Sequence, residues 1–382
     1  MKPPEDLIRL GRLFQQGGAR LYAVGGWVRD GLLGREQGDL DLACAAVPEK
    51  LSAMGLALWE RSAGLASYTL AWGNRRCELT CFRRESCRDN GTHRPQRVET
   101  GVTLQEDALR RDFTVNALYL DLVTGEIIDP TGGLQDLAAG RLVTPRAPEA
   151  VFSEDAQRIL RLARFWAKLA MEPEEKTLAA AKARVGTLDA LEPARIGAEL
   201  KAILPIQNGA KRLYDLGAWP LLWPEGTITE GACEQCEDLP PDAVLRMAAL
   251  LWHSGIPTAK DRLMFLQFSR QEAQRAEMLL QPRPEGLADF RAMLLLGDGV
   301  GWTAIHGEGG ELLSENLPAS PDALPISGQE MLAASGRKPG PWMGAMKRKL
   351  WRSVLENPQM NDKNKLLEEM CRGLGDGERA DL

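Results

Sequence analysis

The sequence predicts an α/β head, a small mixed sheet with helices, followed by an all-α remainder. Three observations carry this. Residues 21–42, LYAVGGWVRDGLLGREQGDLDL, read as strand, glycine turn, short helix and second strand. Residues 67–72 and 77–82 are β-rich runs that meet across Gly73-Asn74, a pair that tolerates positive φ, and so predict a hairpin. From about residue 141 onward the apolar residues recur at helical spacing.

In chain order, Leu7, Leu10, Leu13 and Phe14 predict a helix over 5–16, closed by Gly17-Gly18. The run 21–24 is the first strand. A helix over 27–33 begins at Gly25-Gly26 with its unpaired backbone N–H groups at those glycines, a place suited to phosphate. Asp39 and Asp41 flank Leu40 on the second strand, so their side chains leave one face roughly 7 Å apart. Carboxylates this close repel unless a cation lies between them. Oxygen ligands with no histidine beside them suit Mg2+, which keeps several waters and takes its other ligands from substrate phosphates. A triphosphate on the glycine turn with metal-holding carboxylates nearby is the working half of a nucleotidyl transferase. Another helix is predicted over 48–54. In the second hairpin strand Glu78 is either a third metal carboxylate or a solvated strand residue.

At 382 residues the chain is long enough for two to three domains. No apolar run is long enough to span a bilayer and the start, MKPPEDLIRL, lacks a signal-peptide pattern, which predicts a cytoplasmic protein. Seven scattered cysteines predict reduced thiols rather than a disulfide frame. Cys233 and Cys236 form a lone C-x-x-C with no second pair. Three histidines are too few for a histidine-rich phosphohydrolase domain. The net charge of −6 argues against a strongly basic nucleic-acid binder, yet basic clusters recur around 83–97, 110–111, 158–168 and 337–352.

GGWVRD at 25–30 followed by DLDLA at 39–43 resembles the first motif of the class II tRNA nucleotidyltransferases, the CCA-adding enzymes, and of the related bacterial poly(A) polymerases. The resemblance implies a polymerase-β-like head over 1–140, a helical neck over 141–225 for nucleotide selection, a helical body over 226–325 and a helical tail over 326–382 that holds tRNA. It makes Asp39 and Asp41 the catalytic metal ligands and places Gly26 and Arg29 on the triphosphate. LRRDFTVNALYLD at 109–121 is similar to the family's second motif, in which Arg111 and Asp112 contact the ribose and triphosphate; on chemistry alone the two read as a salt bridge. The polar stretch 83–97 reads as a loop, and in the relatives a flexible loop here is needed to add the terminal adenosine.

Residues 151–170, VFSEDAQRILRLARFWAKLA, predict one continuous helix with Ser153 as N-cap and a wet face of Arg158, Arg161, Arg164 and Lys168. EDAQR at 154–158 fits the E-D-x-x-R motif with which the family selects its nucleotide. Cytosine and adenine both present an amine beside a ring-nitrogen acceptor, so Asp155 would accept from the amine and Arg158 donate to the ring nitrogen. Guanine and uracil reverse that pattern. By motif position Arg161 and Arg164 bind nucleotide too. RIGAEL at 195–200 resembles the neck, and 326–368 resembles the tail. The implied function is addition of C and A to a tRNA 3′ end from CTP and ATP. The alternatives are a poly(A) polymerase, an enzyme adding only CC or only A, and a non-catalytic RNA-binding protein on the same scaffold.

Overall fold

The computed structural model describes residues 1–62, 64–87, 91–92 and 95–377. The chain forms two compact units, Met1–Glu234 and Gln235–Leu382.

The first unit opens with helix α1 (Glu5–Gln16), which buries Leu7, Leu10 and Phe14. Strand β1 (Leu21–Val24) is buried along its whole length, as expected for an unbroken apolar run. Gly25 turns the chain at φ +70°, a conformation L side chains rarely adopt, into helix α2 (Gly26–Leu32). Strand β2 (Asp41–Cys44) returns antiparallel to β1, with Val24 opposite Asp41. Asp39 therefore precedes the strand that was expected to contain it. Helix α3 (Pro48–Ala53) leads to β3 (Leu58–Ser62), β4 (Ser67–Trp72) and β5 (Arg75–Cys81). The hairpin is present, whereas β3 escaped the sequence reading because its alternation carries charges and is only partly buried. Strands β6 (Arg83–Cys87) and β7 (Pro95–Thr100) pair antiparallel. They correct the expectation of a loop over 83–97: the ribbon is held by ion pairs such as Arg84 with Glu99 (2.8 Å), and such pairing leaves no hydrophobic period. Residues 88–90 and 93–94 of that stretch lie outside the described residues.

After helix α4 (Leu104–Leu109), strands β8 (Tyr119–Asp121) and β9 (Ile127–Ile128) complete a seven-stranded sheet among the described residues, ordered β3-β4-β5-β2-β1-β8-β9. Only β2 and β5 run parallel within it, so the sheet is mixed. Tyr22, Phe82 and Tyr119 pack ring to ring at 5.7–6.1 Å and tie β1 to β8, each pair adding about 0.5–1.5 kcal/mol beyond area burial.

Helix α5 (Gly133–Ala138) precedes the segment expected to be one helix over 151–170, and here the structure differs. Helix α6 (Pro148–Glu154) stops, Asp155 adopts an extended backbone (φ −145°, ψ 99°), and helix α7 (Gln157–Leu169) begins afresh. The cause is tertiary: Thr92 forms an antiparallel bridge with Asp155, Gly91 N–H donates to Ser153 O (2.7 Å), and Ala156 N–H donates to Gly91 O (3.0 Å). Ladder bonds to another segment replace helix bonds. Ser153 lies inside α6 rather than capping a helix, and the Asp155 carboxylate accepts from Gln157 N–H instead (3.0 Å). Helices α8 (Glu175–Arg184) and α9 (Pro193–Ile203) follow, and α9 packs on α7.

Every described element of the second unit is helical, the longest being Trp342–Glu356 and Lys363–Gly377. Met331, Leu350, Val354, Leu355, Leu366 and Met370 form one of its cores. His306 stacks on Trp302 at 3.9 Å and meets Leu279 O at 3.0 Å, so its ring is part of the packing. Among the described residues no helix is long and apolar enough to cross a membrane.

Candidate active site

A cleft of about 620 Å³ in the first unit is lined by Gly25, Gly26, Arg29, Asp39, Asp41, Arg111, Asp112, Arg161 and Arg164. Residues far apart in sequence converge because the β1 turn, the start of β2, the segment after α4 and one face of α7 meet there. Asp41 sits against the turn: a Cβ on Gly25 would stand 3.5 Å from its carboxylate, so the glycine also keeps that side clear. Burial pushes the Asp41 carboxyl up to about 6, with the charges of Glu78 and Asp39 adding and Arg111 opposing.

Glu78 is the parallel-strand neighbour of Asp41. Its carboxylate is ion-paired with Arg61 and accepts from Ser67 Oγ (3.1 Å). Among the described residues no group of three or more His, Cys, Asp or Glu side chains is arranged around a metal position. A metal would thus take Asp39 and Asp41 from the protein and its remaining ligands from water and substrate. Burial first, and the charges of Glu78 and Asp39 after it, disfavour the ionised Asp41 carboxylate, and a divalent cation between the two aspartates would offset both.

Arg111 and Asp112 do not pair with each other, contrary to the expected salt bridge. Arg111 donates to Asp107 Oδ2 (3.1 Å) and to Tyr119 Oη (3.0 Å), and its guanidinium lies 5.0 Å from the Tyr119 ring, which joins the cleft to the aromatic core. Burial pushes the Asp107 carboxyl up, but Arg110, Arg111 and Tyr119 outweigh it and hold it at about 2. The Asp112 carboxylate accepts from Arg161 Nε (2.7 Å), Asn116 Nδ2 (3.1 Å) and Phe113 N–H (2.8 Å). Burial again opposes, and the Arg161 charge with these hydrogen bonds holds Asp112 at about 2.

Arg29 is buried, with its guanidinium on Asp30 (2.7 Å) and Asn116, and it touches the cleft wall rather than projecting into it. Phe165, unremarked in the sequence, sits beneath the guanidinium groups of Arg29, Arg161 and Arg164 at 5.1–5.3 Å. The ring stacks and spaces three like charges, and its position four residues after Arg161 on the basic arc was the available signal. Glu199 of α9, also missed, is buried and accepts from Gln157 Nε2 (2.9 Å) while meeting Arg164 at 3.3 Å. One carboxylate thereby holds both the start and the middle of α7.

Asp155 and Arg158 are not among the cleft-lining residues. Arg158 was expected on a wet face, but it is buried: its guanidinium donates to Val151 O (3.1 Å) and Arg110 O (2.6 Å) and lies 3.8 Å from the Asp155 carboxylate. The pair stands at the α6–α7 break. Cys233 and Cys236 are both buried, and Cys233 Sγ donates to Ala210 O at 3.6 Å.

A mixed sheet with paired aspartates beside a glycine turn and an arginine-lined cleft defines a nucleotidyltransferase head, and residues 21–143 match the poly A polymerase head domain family. Over nearly its whole length the chain is similar to CCA-adding enzymes. It is 28% identical to that of Limosilactobacillus reuteri over 93% of both chains, and 29% identical to that of Geobacillus thermodenitrificans over 96% of both. The structure of the Bacillus stearothermophilus CCA-adding enzyme in complex with CTP aligns over 100% of both chains with a TM-score of 0.79 at 25% identity. The Thermotoga maritima CCA-adding enzyme complexed with tRNA shares the fold at a TM-score of 0.71 and 20% identity, over 96% of this chain and 94% of that one. Residues 21–143 thus match the poly A polymerase head domain, and the chain as a whole is similar to CCA-adding enzymes.

Proposed function

We propose that this protein is a cytoplasmic tRNA nucleotidyltransferase that adds C and A to the 3′ end of tRNA from CTP and ATP, releasing pyrophosphate and using no nucleic-acid template. The observation that carries the reading is the cleft itself: two aspartates, a glycine turn and a row of arginines converge on one side of the head, in a chain alignable end to end with a CTP-bound CCA-adding enzyme.

Asp39 and Asp41 are the residues to hold Mg2+. When bound, Mg2+ supplies positive charge that lowers the pKa of the attacking 3′-hydroxyl and neutralises the leaving group. The rest is work for this chain's own groups. The backbone at Gly25-Gly26 admits the triphosphate to close approach, with Arg29 firming the wall behind it. Arg111, Arg161 and Arg164 meet its charge, and their own anchors on Asp107, Asp112 and Glu199 fix them before the nucleotide arrives. Asp112 is the acceptor placed for a ribose hydroxyl.

Base selection falls to Asp155 and Arg158, with Arg158 exchanging the carbonyls of Val151 and Arg110 for the ring nitrogen of cytosine or adenine. A hydrogen bond to a charged group contributes roughly 1.5–3 kcal/mol, and a mispaired buried group costs as much. Two mismatches then separate C and A from U and G by about 10²- to 10⁴-fold.

The test is incorporation of each labelled nucleoside triphosphate, singly, into tRNA stripped of its 3′ end. CTP and then ATP are accepted and UTP and GTP are not. Acceptance of ATP alone in long runs would make the protein a poly(A) polymerase, and no incorporation would leave an RNA-binding scaffold.

A further inference from the structure

The aspartates of the cleft also line a second cavity of about 310 Å³, on whose wall stand Arg61, Thr69, Arg76 and Glu78. Asp39 and Asp41 thus stand between two spaces. In phosphoryl transfer the attacking and leaving oxygens lie roughly in line. With a triphosphate in the larger cleft and its α-phosphate at the aspartates, in-line attack brings the hydroxyl from the side of the second cavity.

What lies on that side is set by strand register. Asp41 pairs with Glu78, Glu78 with Thr69, and Thr69 with Trp59. Directly paired residues share a face, so a row crosses β2, β5, β4 and β3 from carboxylate to indole. Trp59 lies about 14 Å from Asp41, three strand spacings of about 4.8 Å. That distance matches roughly four nucleotides of a stacked strand at about 3.4 Å each, or fewer if stretched. Trp59 is 57% exposed, the most exposed aromatic side chain among the described residues. Arg76 precedes Glu78 on the same face at a spacing of two residues and makes no side-chain hydrogen bond or ion pair with a described residue. Arg61 covers the Glu78 carboxylate, so an approaching phosphate meets a cation there rather than a bare acid.

We infer that this sheet face seats the single-stranded 3′ end of the RNA, with Arg61 and Arg76 on its phosphates and Trp59 stacked against a base upstream of the growing end. A cationic track with an aromatic platform is how single strands are held without reading their sequence. The inference rests on the functional reading above.

The test uses the full chain, tRNA ending in CC and lacking only its terminal adenosine as primer, and a short single-stranded RNA of the same 3′ sequence as binding probe. Trp59→Ala raises the primer KM and the probe Kd by about 5- to 100-fold, the range of one base–aromatic stack, while KM for ATP stays within about twofold. Trp59→Phe restores most of the loss, which a merely structural role of the exposed indole would not require. Arg76→Ala weakens the probe and flattens the salt dependence of its binding by about one counterion. Primer KM unchanged in both variants, or a rise in nucleotide KM instead, overturns the assignment of this face while transfer by the wild type upholds the functional reading. A wild type that transfers no nucleotide to any RNA overturns both.

Discussion

Asp112→Asn isolates the contribution of the carboxylate on which Arg161 is anchored. The substitution keeps size and shape, and the amide oxygen still accepts from Phe113 N–H, but the partner of Arg161 loses its charge. Asp112 is 7% exposed and its carboxyl is held at about 2 against an ordinary 3.8. At about 1.36 kcal/mol per unit this difference contributes about 2–3 kcal/mol to stability at neutral pH. The folded-state value is depressed, so the contribution is fully present above about pH 4, falls to about half by pH 3, and vanishes as pH drops through the folded value near 2. Urea unfolding of wild type and variant, followed by a probe in the first unit, reads the gap at pH 7 and again down to about pH 3, over which linkage requires it to narrow. Equal stabilities at pH 7, or a gap that stays constant into acid, would refute the reasoning. Arg161 adds little of its own to the loss, because its side chain is one-third exposed and can hydrate when unpaired.

Three further outcomes follow from the same geometry. Asp41→Asn abolishes nucleotide incorporation by at least about 10³-fold with tRNA affinity retained, since it removes a metal-holding charge and no packing; incorporation near wild type would reject the metal assignment. Gly91→Ala forces a Cβ to within 3.1 Å of Thr187 Cβ and 3.2 Å of Ala156 Cβ at φ +74°. The strain, about 1–2 kcal/mol, loosens the seam at Asp155, and the Ala156 amide then exchanges about 5- to 30-fold faster; unaltered exchange would show that the seam does not depend on that glycine. Exchanging Asp155 and Arg158 for one another erases the preference for C and A over U and G, and a variant that still rejects UTP and GTP would move base selection to other residues.

The head was legible in the sequence where chemistry and periodicity coincide. Buried β1, the glycine turn and the 67–82 hairpin each carry an apolar or turn signal that local structure obeys. The ribbon β6–β7 was not legible, because ion pairs rather than a buried face hold it. The α6–α7 break was hidden for another reason: residues 151–170 are a good amphipathic helix on their own, and only backbone pairing with Gly91 and Thr92 interrupts it. The site shows the same division. The sequence names Asp39, Asp41, Arg111, Asp112, Arg161 and Arg164, and all six line the cleft. It misassigns their partners, since Arg111 turns to Asp107 one helical turn back and Asp112 to Arg161, 49 residues further along the chain. Arg158 looked solvated by its helical phase, yet the break at Asp155 resets that phase and buries it.

The account stands most directly on the 3′-end sequence of the product made from tRNA ending at its discriminator base when all four nucleoside triphosphates are supplied. It predicts two cytidines and one adenosine and then arrest. Long runs of adenosine, or uridine and guanosine scattered through the added nucleotides, would contradict it.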